Sequence, residues 1–331
     1  MSLLRRVFEI YKEHGIVQLI LKAQLFIQAR LGGGITDRPN VAKISNLFKP
    51  LFNRIFQFRF GSGIDVMEAD WDTLILLDAC RYDDFENQND LPGTLDSRIS
   101  QGPDSPKFIR ENFAGRELHD TVYVTANPHV DRIDDGVFHA IVDDPLSSWD
   151  TKANCVRPET VTNAAIRAHD EYDDKRVIVH YMQPHDPPLG PTGDKLRDQL
   201  NLGGVDPNDQ SDKIRLFEAV ADGEIEVEKA RKAYRETLDI VLEEVEELIS
   251  EIDGKVVVSA DHGEMFGEQP YPILGKLYEH YRHPHTVELC KVPWLVINHG
   301  PRRHTVSEPP TDTADTFEED LEEKLEALGY R

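Results

Sequence analysis

The chain has 331 residues, of which 39% are hydrophobic and 30% charged, and it carries a formal net charge of −24. That length suits one large α/β domain or two smaller ones. The acidic balance excludes nucleic acid as the expected partner, because phosphate backbones call for clustered Lys and Arg.

Three cysteines, Cys80, Cys155 and Cys290, have neither disulfide-framework nor zinc-type spacing. An acidic surface with few Cys and Met fits a salt-adapted organism. The charge is unevenly placed: residues 1–60 hold ten Lys/Arg against three Asp/Glu, so the acidic excess lies in the rest of the chain.

Residues 2–31 have the apolar spacing of an amphipathic helix, with Leu3, Leu4, Val7, Phe8, Leu19, Ile20 and Ile27 among its positions and Gly32-Gly33-Gly34 as its stop. Polar and basic residues interrupt it too often for a membrane span, and no signal-peptide cleavage pattern follows it. A second basic-apolar stretch occupies residues 47–56. Two cationic amphipathic segments could lie on an anionic membrane surface, or pack on the rest of the chain as an arm. The expected organisation is a basic arm at 1–60 and a catalytic domain at 61–331. The expected location is cytoplasmic, with peripheral contact on the inner face of the membrane through residues 1–60.

Thr73-Leu74-Ile75-Leu76-Leu77-Asp78 reads as a buried strand ending in an acid, followed by a loop into a helix. Residues 100–106 read as a loop opening a helix at 106–113, with Ser105 at its N-cap and Pro106 at N1. A hydroxyl at a helix start sits beside free N–H groups, a good place for a nucleophile acting on an oxyanion. Ser97 and Ser100 are the competing hydroxyls. Strands are expected at 121–125, leading to His129, and at 138–142, and a helix from Pro158 to about Tyr172. The strand at 176–182 runs into Gln183-Pro184-His185-Asp186-Pro187, where prolines stiffen the loop that carries His185.

Residues 189–211, rich in Gly, Pro, Asn and Asp, read as an inserted surface loop. Residues 213–252 read as helix, broken near Asp222-Gly223, with Ala233, Leu238, Val241, Leu242, Val245 and Leu248 forming one apolar stripe. The run Val256-Val257-Val258 then ends abruptly in Asp261-His262-Gly263-Glu264, after which come Lys276, His280, His283 and His285. A last strand is expected at 292–297, polar loose chain at 301–315, and an acidic helix at 317–328. Alternating strands and helices imply an α/β fold with a mostly parallel central sheet flanked by helices. In such a sheet ligands bind beyond the carboxyl ends of the strands. Acids and histidines at several such ends, with a hydroxyl at a helix start, suit metal-assisted displacement at an anionic ester.

The ordered set resembles the alkaline phosphatase/sulfatase superfamily. The matching parts are residues 73–78, the His185 loop at 181–187, the segment 258–268, Lys291-Val292-Pro293-Trp294, and the closing residues 325–330; together they span roughly residues 70–330. Asp261-His262-Gly263-Glu264 with Gly267-Glu268 also looks like phosphoethanolamine transferases of that superfamily. The resemblance implies an alkaline phosphatase-like fold and a divalent metal ion (Zn, Mn, Ca or Mg) held by Asp78, Asp261 and His262. It makes Ser105 the nucleophile, and His185 and one histidine of the 280–285 cluster, His283 by preference, ligands of a second metal or of the substrate oxyanion. Lys276 is then an anion contact, with Arg81 a weaker candidate, and His185 could protonate the leaving oxygen. The implied activity is hydrolysis of phosphate or sulfate esters, glycan- or lipid-linked ones included, through a covalent Ser intermediate. The alternatives are a membrane-associated headgroup transferase and a non-catalytic member of the fold. The chain departs from sulfatases in lacking their Cys/Ser-x-Pro-x-Arg spacing at Cys155 and at Ser105, and in ending the first strand with one acid where sulfatases have two. Both departures weigh against formylglycine chemistry.

Overall fold

The computed structural model describes residues 38–200, 215–271, 274–280 and 283–310. The expected helices at 2–31 and 317–328 lie outside these residues. Seven strands form the central sheet: β1 (Thr73–Leu77), β2 (Thr94–Ile99), β3 (Leu118–Thr125), β4 (Phe138–Val142), β5 (Arg176–Tyr181), β6 (Gly254–Ser259) and β7 (Lys291–His299). Their spatial order is β2-β7-β6-β1-β5-β3-β4. β6, β1, β5, β3 and β4 run parallel, and β7 lies antiparallel between β6 and β2. The sheet is therefore mostly parallel, as expected.

The sequence explains the centre of this order. All five residues of β1 are buried, and β5 and β6 are buried over their apolar runs. Strands covered on both faces lose the polar-apolar alternation of a half-exposed sheet. The helices are α1 (Arg38–Phe60), α2 (Tyr82–Gln88), α3 (Ser105–Phe113), α4 (Pro158–Glu171), α5 (Gly190–Leu200), α6 (Leu216–Asp222) and α7 (Val227–Glu251). The expected stripe on α7 is buried from Ala233 to Leu248 in the main core with β1, β5 and β6, apart from Ala233, which joins a satellite cluster with Leu196 and Phe266.

Two segments differ from the sequence reading. Residues 190–200 form α5 instead of a surface loop, because Leu196 is buried and the Glu236 carboxylate accepts from both Thr192 N and Thr192 Oγ1 at 2.6 Å. β2 was not expected. Its sequence, TLDSRI, has few apolar residues because it is an edge strand with no fully buried position.

α1 packs its buried Phe52 and Phe56 against Met265, Leu274, Leu277 and Leu289, and Phe52 stacks on Tyr271 at 4.0 Å between ring centroids. The helix thereby braces the segment that follows Asp261 and His262.

At the amino end of β1, His169 from α4 sits buried with Nε2 3.3 Å from Thr73 Oγ1, and Arg303 donates to its Nδ1. Burial, and then the Arg303 charge, push this imidazole down to about 3. Unfolded, it titrates near about 6.5, so below that pH the unfolded chain binds the extra proton. Its stabilisation is complete above that pH and drains as pH falls towards 3, at up to about 1.4 kcal/mol per pH unit. Urea unfolding should therefore show stability falling from neutral pH to mild acid, and less steeply in His169→Gln. Equal slopes would show that His169 is not proton-linked.

Candidate metal centre

Adjacent strands β6, β1 and β5 deliver three polar side chains to one place. Leu76 of β1 is level with His180 on one side and Ser259 on the other, so Asp78 and Asp261 both emerge just past the carboxyl ends. Asp78, His180, Asp261 and His262 are all fully buried. One oxygen of each carboxylate is held by the protein. Asp261 Oδ1 accepts from Ala79 N (3.2 Å) and His262 N (2.8 Å). Asp78 Oδ2 accepts from Asn127 Nδ2 (2.7 Å) and from the Ser105 hydroxyl (3.3 Å).

The other oxygens, Asp78 Oδ1 and Asp261 Oδ2, have no hydrogen-bond partner, and neither has His180 Nε2. Among the described residues, Asp78, His180 and Asp261 form a group whose ligand atoms lie within 4.8 Å of one another. His262 Nε2 stands 3.4 Å from each orphaned oxygen and 3.2 Å from Ser105 Oγ. Its Nδ1–H donates to Gly263 O at 2.8 Å, so the lone pair of Nε2 points into the site. A buried polar atom left unpaired costs about 1–3 kcal/mol, and more when charged. Two carboxylate oxygens without donors, converging with the imidazoles of His180 and His262 beside the Ser105 hydroxyl, are what a divalent cation would satisfy. The mixed nitrogen–oxygen set suits zinc or manganese.

The charges are arranged accordingly. Burial, and then the neighbouring Asp261, push the Asp78 carboxyl well up. Burial acts on Asp261 in the same sense, but the His262 and His180 imidazoles overcome it and hold this carboxyl down.

The backbone that presents Asp78 is constrained. Ala79 has φ 59°, a left-handed conformation that costs a non-glycine residue energy and occurs mostly where surroundings enforce it. Here Tyr234 enforces it: its hydroxyl donates to Ala79 O and accepts from Arg81 N, both at 2.8 Å. Gly263 is needed for space. A Cβ there would lie 2.1 Å from Glu288 O.

Ser105 is the first residue of α3, and the N-cap is Asp104, whose Oδ1 accepts from Lys107 N at 2.9 Å. This moves the expected cap by one residue and leaves the Ser105 hydroxyl free to face Asp78 and His262. Ser100 donates its hydroxyl to Asp261 O and so supports a ligand. Ser97 lies in β2, level with Pro293 of β7.

A row of imidazoles leads away from His262. The His262 and His280 centroids are 4.4 Å apart, and those of His280 and His185 are 5.1 Å apart. Glu264 Oε2 is 3.0 Å from His280 Nδ1. Burial lifts Glu264 to about 8 and pushes His185 and His280 well down, so both imidazoles are neutral near pH 7. Neutral imidazoles suit ligation or hydrogen bonding better than donation of a proton to a leaving oxygen.

Of the 280–285 histidines, His280 is the one whose ring stands against His262, while His283 Nε2 lies 2.7 Å from Tyr278 O. Lys276 is exposed. Arg81 is buried and tied to Asp83, Glu268 and the Glu264 carbonyl, which leaves little of it for an anion. His180 and Asn127 were not among the expected site residues. His180 is hidden inside an apolar strand, and its signal is a polar residue near the carboxyl end. Asn127 has no signal beyond lying in the loop that carries His129.

No family model matches the chain, and no curated protein matches it. Similar solved structures include the C-terminal periplasmic domain of EcEptC from Escherichia coli in complex with Zn (12% identity, 72% of this chain and 75% of that one, TM-score 0.43). They also include the corresponding domain of phosphoethanolamine transferase EptC from Campylobacter jejuni (14%, 68% and 78%, TM-score 0.41). A third is a 2-O GAG sulfatase (11%, 69% and 64%, TM-score 0.39).

Metal binding should be readable as stability. A ligand that binds only the folded state adds about 2.7 kcal/mol at a hundredfold excess over its Kd. Zinc or manganese should raise the melting temperature of the chelator-treated protein, and Asp261→Asn should abolish that rise. A variant that keeps the full metal-induced rise would remove Asp261 from the site.

Proposed function

We propose that the protein is a metal-dependent hydrolase of phosphate or sulfate esters, with Ser105 as the attacking nucleophile. The observation that carries this reading is the position of Ser105 Oγ: 3.3 Å from Asp78 Oδ2 and 3.2 Å from His262 Nε2, beside two carboxylate oxygens without partners.

Asp78, Asp261 and His262 would hold the cation, with His180 closing the set from below. A divalent ion supplies Lewis-acid stabilisation of charge on the transferring group and lowers the pKa of a hydroxyl beside it. The chain's own residues do the rest. α3 fixes Ser105 at its first turn, with the Asp104 cap and Pro106 setting the start of the helix. Asn127 orients Asp78, and the Ala79 and His262 amides orient Asp261, so neither carboxylate can swing towards the substrate. Ser105 Oγ bonds to phosphorus or sulfur as its proton passes to Asp78 Oδ2, the ester oxygen departs on the opposite side and takes a proton from water, and water then cleaves the covalent Ser105 ester. His185 and His280, held neutral, are placed to bind the oxygens of the transferring group or a second cation. If an acceptor hydroxyl replaces water in the last step, the same first half-reaction makes a transferase.

Purified protein assayed with aryl phosphate monoester, phosphodiester and sulfate esters, across several divalent metals, should turn over at least one class. Ser105→Ala should lower that rate by about a thousandfold or more while keeping the metal-induced rise in melting temperature. Asp261→Asn should lose both. Full activity in Ser105→Ala would move the nucleophile elsewhere, and failure of every ester class with metal bound would overturn the hydrolase reading.

A further inference from the structure

One face of α1 is apolar and exposed. Phe58 is 96% exposed, Leu51 49% and Ile55 40%. Their spacing of four and three residues puts them on one side of a helix. Phe52 and Phe56, on another side, are buried in the domain and set the helix's rotation.

The charge of α1 is equally one-sided. Its 23 residues include Arg38, Lys43, Lys49, Arg54 and Arg59 and no acid, in a chain of net charge −24. Exposed Arg54 and Arg59 flank the apolar stripe. No described helix is long and apolar enough to cross a membrane.

We infer that α1 docks the protein on an anionic bilayer, lying in the interface with Leu51, Ile55 and Phe58 in the headgroup–acyl boundary and Arg54 and Arg59 on the lipid phosphates. An apolar stripe of this width, bordered by arginines, is what the boundary stabilises, since it takes apolar side chains and cations at the same depth. A second copy of the chain is a poorer occupant, because a self-contact through this face would set the exposed Arg54 and Arg59 of two copies against each other with no acid on either helix. The acidic charge of the body opposes the bilayer less, because charges beyond roughly 8 Å of the surface are screened at physiological salt.

The docking face is linked to the site by contacts. Asn53 Oδ1 accepts from His285 N at 2.8 Å, Phe56 meets the His285 ring edge-on at 5.6 Å, and His285 Nε2 accepts from Lys107 Nζ at 2.8 Å. Lys107 is two residues from Ser105 on α3.

The full chain carrying Ser105→Ala, silent in catalysis, should co-sediment with vesicles of equimolar phosphatidylglycerol and phosphatidylcholine, and much less with phosphatidylcholine alone. Phe58→Asp, which removes an exposed side chain and should keep the circular-dichroism melting curve, should lower the bound fraction by about fivefold or more. Arg54→Glu should lower it too, and added salt should weaken the binding. The inference is overturned if the protein ignores anionic vesicles, or if Phe58→Asp binds as well as its parent. It is also overturned if sedimentation velocity finds a self-association that Phe58→Asp abolishes. Ester turnover enters none of these outcomes, so the inference and the catalytic reading fail separately.

Discussion

The repulsion between Asp78 and Asp261 is the constraint around which this molecule is arranged. Both carboxylates are fully buried, and each leaves one oxygen unpaired within reach of His262 Nε2. Buried like charges normally force one group to take a proton. The fold answers part of that repulsion with hydrogen-bond donors to one oxygen of each acid: the amides of Ala79 and His262 and the Asn127 side chain. What these donors leave uncompensated is the part a cation would fill, and Ser105 is the only hydroxyl of the three candidates placed beside it.

The sheet makes that juxtaposition unavoidable. β6, β1 and β5 are neighbours, so residues far apart in the chain meet wherever the strand ends are level. β7, running antiparallel beside β6, and α1, packed on the segment 265–289, hold that end of the sheet from outside. Tyr234 of α7 holds Ala79 in its left-handed conformation. The strain is local, at the residue that follows the first acid.

Much of this was legible in the residues. The continuous apolar runs of β1, β5 and β6 identify covered strands, and the acids at the ends of β1 and β6 mark the ligand edge. The α7 stripe from Ala233 to Leu248 has helical spacing and is buried along its length. What escaped depends on contacts that no local period encodes. His180 reads as part of a strand, Asn127 as part of a loop, and only the folded chain aims both at Asp78 and Asp261. Choosing His280 over His283 depends on how an irregular segment turns. The short edge strand β2 lacks the hydrophobicity that marks a strand, and Asp104 takes the cap from Ser105 because its carboxylate reaches Lys107 N.

The most direct measurement is anomalous diffraction from crystals of the protein grown with manganese or zinc. A single strong peak bounded by Asp78, Asp261 and His262, at ligand distance from Ser105 Oγ, is the result expected here. Metal bound elsewhere, with the Asp78 and Asp261 oxygens still unpaired, would contradict the account.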